Sequence, residues 1–220
     1  MTRHAQADLM RPLPSRLYVI GDEQRCRQAG WTLPDFCRAC FDAGARLVQL
    51  RAKTLGGAAF LDLAAEVVEC GRQNEALVIV NDRADIARLA SAGGVHVGQD
   101  DVPPAGVRKT VGDRAVVGLS THTLAQLTDA MRQPVDYVAV GPVYGTLTKV
   151  TGHQPVGLGH VAAAALTAGA RVPLVAIGGI TVARAAATVE AGAAAVAVIA
   201  DLLSAGDPAK QVRAFLRALE

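Results

Sequence analysis

Nine consecutive residues in the second half of the chain, Gly141-Pro-Val-Tyr-Gly-Thr-Leu-Thr-Lys149, place two hydroxyls and a cation after residues that stop regular structure. They follow an apolar run, Tyr137-Val-Ala-Val140, that reads as a buried strand. Backbone N–H groups, the Thr146 and Thr148 hydroxyls and the Lys149 ammonium can converge on phosphate oxygens, with Leu147 between them. Other apolar runs end in comparable chemistry. The run Leu47 to Leu50 leads into Gln49, Leu50, Arg51, Ala52 and Lys53, where residues 49, 51 and 53 share one face of extended backbone. Two like charges side by side call for an offsetting anion, or for a salt-bridged strand end. Further on come Asn81-Asp82, with Asp85 a turn later, and Gly98-Gln99-Asp100-Asp101.

Carboxylates from adjacent strand ends can share a hard cation, and Mg2+ takes one or two of them together with substrate phosphates. Asp82 could instead cap the following helix, and Asp100 or Asp101 could be solvated. Ser120-Thr-His122 supplies a hydroxyl and an imidazole. No strand–GxSxG–helix frame marks Ser120 as a nucleophile, and His122 reads as a loop-orienting or helix-capping residue. Gly178-Gly179 and Ile199-Ala200 fall where barrel enzymes bind phosphate through backbone amides. Three cations (Arg51, Lys53, Lys149), two candidate metal carboxylates (Asp82, with Asp100 or Asp101) and a separate glycine-lined pocket exceed what one monophosphate requires. They suit a pyrophosphate that leaves once its charge is neutralised. A second phosphate pocket implies a second phosphorylated substrate. The residues therefore point to displacement of pyrophosphate from one substrate by an atom of another.

These side chains need a scaffold that gathers strand ends. The sequence offers eight short apolar runs, near residues 17–20, 47–50, 77–80, 95–97, 115–119, 136–140, 173–177 and 194–198. Helical patterns are expected between and after them, over residues 33–43, 58–73, 84–90, 104–111, 123–131, 160–168, 182–191 and 207–219. Continuous rather than alternating apolar strands fit burial on both faces. Eight strand–helix units in 220 residues predict an α/β fold, the TIM (β/α)8 barrel, over residues 15–220. The competing doubly wound sheet normally uses fewer strands, and no GxGxxG follows the first one. Residues 1–14, with Pro12 and Pro14, read as a loose N-terminal arm.

Composition sets the outer bounds. Half the residues are hydrophobic and only 4% aromatic, which suits Ala-rich helices over small strands. The net charge of +2 gives no broad electrostatic case for nucleic acid or membrane. Four cysteines (Cys26, Cys37, Cys40, Cys70) without a secretory leader lead to an expectation of reducing cytoplasm. Cys37-Arg-Ala-Cys40 has CxxC spacing but lacks a second pair, so it reads as two small residues on a helix face. Small-molecule substrates are the expected partners; a homo-oligomer stays open.

Taken together, the chain resembles the thiamine-phosphate synthase family over most of residues 16–203. The matching stretches are Gln49–Lys53, Asn81–Asp85, Gly94–Asp101, Gly118–His122, Gly141–Lys149 and Ala176–Ile180. The resemblance implies a TIM barrel that joins 4-amino-2-methyl-5-hydroxymethylpyrimidine diphosphate to a thiazole phosphate or its carboxylate, releasing pyrophosphate. It implies the pyrimidine diphosphate on Gln49 to Lys53, Asn81, Ser120 and Lys149, and Mg2+ on Asp82 and Asp101. It implies the thiazole phosphate on Thr146 to Thr148, Gly179, Ile199 and Ala200. It also implies a dissociative route through a pyrimidine carbocation, in keeping with the missing base. Two positions depart from the pattern. Ala200 stands where the family usually has Ser, and Ile20-Gly-Asp22 where Thr-Asp is commoner. A related thiazole tautomerase shares the barrel and a Ser-x-His stretch, which makes a His122-dependent isomerase the runner-up. A non-catalytic phosphate-binding barrel is the third reading.

Overall fold

The computed structural model describes residues 13–145 and 154–220. Eight parallel strands close into a barrel in chain order, β1 pairing with both β2 and β8. They are β1 (Leu17–Asp22), β2 (Leu47–Arg51), β3 (Leu77–Asn81), β4 (Gly94–Val97), β5 (Val116–Thr121), β6 (Tyr137–Val140), β7 (Leu174–Ile177) and β8 (Ala195–Val198). The intervening helices are α1 (Glu23–Gln28), α2 (Leu33–Asp42), α3 (Gly57–Gln73), α4 (Ala84–Leu89), α5 (Pro104–Val111), α6 (Leu124–Ala130), α7 (Gly157–Ala168), α8 (Val182–Glu190) and α9 (Pro208–Ala218). A 3-10 turn, Ala200–Leu203, follows β8.

The strands divide their side chains between two cores. Outward residues such as Val48, Leu50, Val95, Val97, Val117 and Leu119 pack against the helices. Inward residues such as Tyr18, Ile20, Leu47, Ile79, Tyr137 and Val175 fill the barrel. Because side chains alternate, this parity carries to the strand ends. Asp22, Gln49, Arg51, Asn81, His96 and Ser120 all fall on the inward set. The fold thus brings side chains from β1 to β5 together at the C-terminal rim.

Three differences from the sequence expectation have physical causes. Strands β1, β2, β3 and β5 run on to Asp22, Arg51, Asn81 and Thr121, because polar ends are carried by ladder pairing such as Asp22 opposite Arg51. Helix α1 buries only Cys26, so it leaves no apolar period to read; the Asp22 carboxylate caps it by accepting from Arg25 N at 3.0 Å. Helix α7 begins at Gly157, earlier than residue 160, behind two glycines that weaken its signal.

Room inside the barrel is set by Gly118. A Cβ there would overlap the Tyr137 ring. Gly118→Ala is therefore expected to destabilise the protein by about 1–3 kcal/mol through overpacking. Gly159, inside α7, is the control, since a Cβ added there would meet nothing within 4 Å. Gly159→Ala should stabilise by about 0.5–1 kcal/mol through helix propensity. Urea denaturation of both variants separates the two outcomes.

Candidate active site at the barrel rim

The β1–β4 side of the rim holds balanced charge. Arg51 at the end of β2 pairs with Asp22 of β1, a residue only 4% exposed. Just beyond β2, Lys53 Nζ lies 3.1 Å from Asp82 Oδ2, beyond the end of β3. The anions that Arg51 and Lys53 require are thus supplied by neighbouring strand ends. The two pairs differ in strength. The Asp22 side chain is buried, whereas the Lys53 side chain is 52% exposed, and an ion pair that open to water is worth at most about 1 kcal/mol. Lys53 can exchange partners cheaply; Arg51 is anchored.

Asp82 is not the cap of α4. That place is taken by Arg83, without a side-chain cap bond. Asp82 itself has φ 61°, the left-handed region that non-glycine residues seldom occupy. Its backbone is pinned there, with Asp82 N donating to His96 O at 2.8 Å. Burial raises its carboxyl pKa above the usual value, opposed by the Lys53 ammonium and reinforced by the adjacent Asp101 carboxyl. Asp101 also accepts from Gly98 N at 2.7 Å and so ties down the turn after β4. Two neighbouring carboxyl groups, one of them partly buried, form a donor pair suited to a hard divalent cation. These residues fit Mg2+.

The β5–β8 side carries a cavity of about 440 Å³. Ser120, His122, Gly178, Gly179, Ile199 and Ala200 line it, but the cluster around Asp82 does not. Ser120, within β5, lines this cavity and is hydrogen-bonded to His96 of β4. The glycine pair is required by close approach. Gly178 and Gly179 have φ 105° and 64°, and a Cβ on them would meet Pro142 Cα and Gly145 O at 2.5 Å each. The loop after β6 lies directly on the loop after β7, with Val143 N and Tyr144 N donating to Ile177 O and Gly178 O at 2.9 Å each. Ile199 caps the 3-10 turn, so the amides of that turn begin at the cavity.

The sequence-expected residues are thus distributed as follows. Gln49 is buried inside the barrel, donating to Tyr18 Oη at 2.8 Å. Leu50 packs outward and Ala52 is buried just past β2. Asn81 ends β3, opposite His96. Ser120 Oγ is 2.8 Å from His96 Nε2. His122 Nδ1 donates to Gly141 O at 2.7 Å, which holds its ring against the loop after β6. Thr146, Leu147, Thr148 and Lys149 lie outside the described residues. Sequence reasoning missed Arg25, on α1, and Arg184, on α8, both lining the cavity. Arg184 sits 4.6 Å above the Tyr144 ring and donates to Gly179 O, bracing the glycine pair. Cys37 and Cys40 are buried, and burial drives both thiol pKa values up, away from thiolate chemistry.

A closed parallel barrel whose rim carries ion pairs on one side and a glycine-lined cavity on the other is a TIM-barrel protein. Residues 17–202 match the family described as thiamine monophosphate synthase, and the chain belongs to that family. It is 42% identical over 93% of its length to the thiamine biosynthesis bifunctional protein ThiM/ThiE of Symbiobacterium thermophilum, of which it spans 41%. It is 43% identical to the thiamine-phosphate synthase of Synechococcus sp. (strain WH7803), covering 81% of this chain and half of that one. It is 44% identical to the thiamine-phosphate synthase of Acidothermus cellulolyticus, covering 91% of this chain and 93% of that one. Among solved structures, thiamine phosphate pyrophosphorylase from Pyrococcus furiosus superposes with a TM-score of 0.83 at 25% identity, covering 93% of this chain and 95% of that one.

The Asp22–Arg51 pair gives a direct test of the anchored half. Asp22→Asn keeps a helix cap but removes the charge facing Arg51. It should destabilise the protein by roughly 1.5–3 kcal/mol, the usual worth of hydrogen bonds to a charged group. Asp22→Ala should cost about 1 kcal/mol more, because the α1 cap is lost as well. Paired urea titrations read the difference.

Proposed function

We propose that this protein is a thiamine-phosphate synthase: it joins 4-amino-2-methyl-5-hydroxymethylpyrimidine diphosphate to a thiazole phosphate, or its carboxylate, and releases pyrophosphate. The observation that carries this reading is the presence on one barrel rim of two unlike half-sites, a charge cluster and a glycine-lined cavity. One diphosphate and one phosphorylated ring have complementary needs. The family membership and the named relatives support the same assignment.

In this reading Arg51, held by Asp22, presents its guanidinium to the diphosphate. Lys53 leaves its weak pair with Asp82 and moves to the same group, joined by Lys149. Asp82 and Asp101 would hold Mg2+, which supplies further neutralisation of the leaving diphosphate. With its charge offset, the C–O bond between the pyrimidine methylene and the diphosphate breaks, both electrons going to oxygen. The carbocation is stabilised by the ring amino group. The thiazole nitrogen then forms the new C–N bond. Gln49, Asn81 and Ser120 orient the pyrimidine, and Leu50 and Ala52 shape the strand end that carries Arg51 and Lys53. On the other side, Gly179, Thr146 to Thr148 and the backbone at Ile199 and Ala200 receive the thiazole phosphate. Ala200 offers its amide alone, without the family's usual hydroxyl. No general base is needed, since proximity and alignment supply the remaining rate enhancement. The enzyme is expected to act in the cytoplasm; among the described residues no helix is long and apolar enough to cross a membrane.

Purified protein, both substrates and Mg2+ should yield pyrophosphate and thiamine phosphate in equal amounts, and EDTA should abolish both. Undiminished turnover under chelation would remove Asp82 and Asp101 as metal ligands. Lys149→Ala should lower kcat by about 10²–10³-fold, the loss expected for one transition-state donor. Isomerase activity that depends on His122 and ignores Lys149 would favour the tautomerase-type reading instead.

A further inference from the structure

We infer that Gln49, Tyr18, Tyr137 and His96 form one directed hydrogen-bond chain across the barrel interior, which fixes His96 as its Nε2–H tautomer and makes Ser120 a donor toward the substrate. The inference rests on the proposed function for the identity of that substrate, and on hydrogen-bond geometry and burial for the direction of the chain. Tyr137 and His96 are positioning residues that act through Ser120.

The chain has four links, and all the atoms but Ser120 Oγ belong to buried residues. Gln49 Nε2 donates to Tyr18 Oη at 2.8 Å. Tyr18 Oη lies 2.9 Å from Tyr137 Oη. Tyr137 Oη lies 2.8 Å from His96 Nδ1. His96 Nε2 lies 2.8 Å from Ser120 Oγ. Five strands contribute, and Gly118 leaves the gap into which the Tyr137 ring fits. The rings are held by contact as well: Tyr18 meets Tyr137 edge-on at 5.9 Å, and His96 stacks on Tyr137 at 5.5 Å.

Proton accounting sets the direction. Each phenol carries one proton, and burial raises both phenol pKa values, so neither is lost. Tyr18 already accepts from Gln49. Were Tyr137 to donate to it too, the Tyr18 proton would sit in the core with no acceptor among the described residues, a costly arrangement that native interiors avoid. The Tyr18 proton therefore goes to Tyr137 Oη, and the Tyr137 proton to His96 Nδ1. A nitrogen that accepts is unprotonated, so the imidazole proton resides on Nε2 and is donated to Ser120 Oγ. Ser120, having accepted, turns its own proton toward the cavity it lines. A hydroxyl free to rotate would divide its time between donor and acceptor roles; this one is committed before the substrate arrives.

The tautomer is read by 15N NMR of the full-length, ligand-free protein labelled at histidine, with His96→Gln assigning the signal. Nδ1 should resonate as an unprotonated, pyridine-type nitrogen and Nε2 as a protonated, pyrrole-type one. The reverse tautomer, or a fully protonated ring, overturns the inference, and this readout needs neither substrate nor a folded Tyr137 variant. In the synthase assay, Tyr137→Phe should mix the His96 tautomers and lower kcat by about 5–30-fold, with KM for both substrates within about twofold, the scale set by one lost hydrogen bond. In a Ser120→Ala background the same substitution should lower kcat no further, because the two act as a unit. Independent, multiplying losses would mark Tyr137 as a structural residue and overturn the inference. Wild-type protein that releases no pyrophosphate would overturn the functional reading instead, leaving the tautomer to decide the direction of the chain.

Discussion

Closing eight parallel strands on themselves leaves the protein with a rim of inward-pointing side chains above a packed interior. Charge placed there is only partly hydrated, so it must be balanced by other charge within reach. In this protein the balance is struck between neighbouring strands: Asp22 holds Arg51, and Asp82 holds Lys53. Much else follows from that requirement. Asp22 is drawn into β1 and from there caps α1, which carries Arg25 to the cavity. Asp82 is pinned in a left-handed conformation that brings it against both Lys53 and Asp101.

The opposite half of the rim obeys a steric rule rather than an electrostatic one. Gly178 and Gly179 are glycines because the loop after β6 runs across them at backbone distance. Both glycines also line the cavity, so the close approach of the two loops shapes its wall. Arg184 secures this region from α8 through the Gly179 carbonyl and the Tyr144 ring. Ser120 belongs to both halves. It lines the cavity, while its partner His96 sits on β4, whose following turn carries Asp101.

Much of the architecture was legible in the sequence because each strand is a continuous apolar run ended by polar residues, and a closed parallel barrel demands that signature. The count of units put Gln49, Arg51, Lys53, Asp82 and Ser120 at or near strand ends, and the structure places Arg51 and Asp82 in ion pairs with the neighbouring Asp22 and Lys53. What stayed hidden depends on contacts between strands. Nothing near Asp22 in the chain announces that it faces Arg51; the register of β1 against β2 does. Asp82 read equally well as a helix cap, and only its backbone angle and the position of Arg83 exclude that. Helix α1 buries one residue and so has no periodicity, which concealed Arg25. Tyr18, Tyr137 and His96 looked like ordinary core residues; their hydroxyls and ring nitrogens acquire meaning only when the barrel interior forces them to satisfy one another.

If the ion pairs at the rim hold a place for a diphosphate bound together with a divalent cation, inorganic pyrophosphate should find that place without the rest of the substrate. Isothermal titration of the full chain with pyrophosphate, with and without Mg2+, reads this out. Binding should require Mg2+ and be lost in Asp82→Asn, and Arg51→Ala should weaken it. Pyrophosphate that binds equally well without Mg2+, or with undiminished affinity to Asp82→Asn, would contradict this picture of the rim.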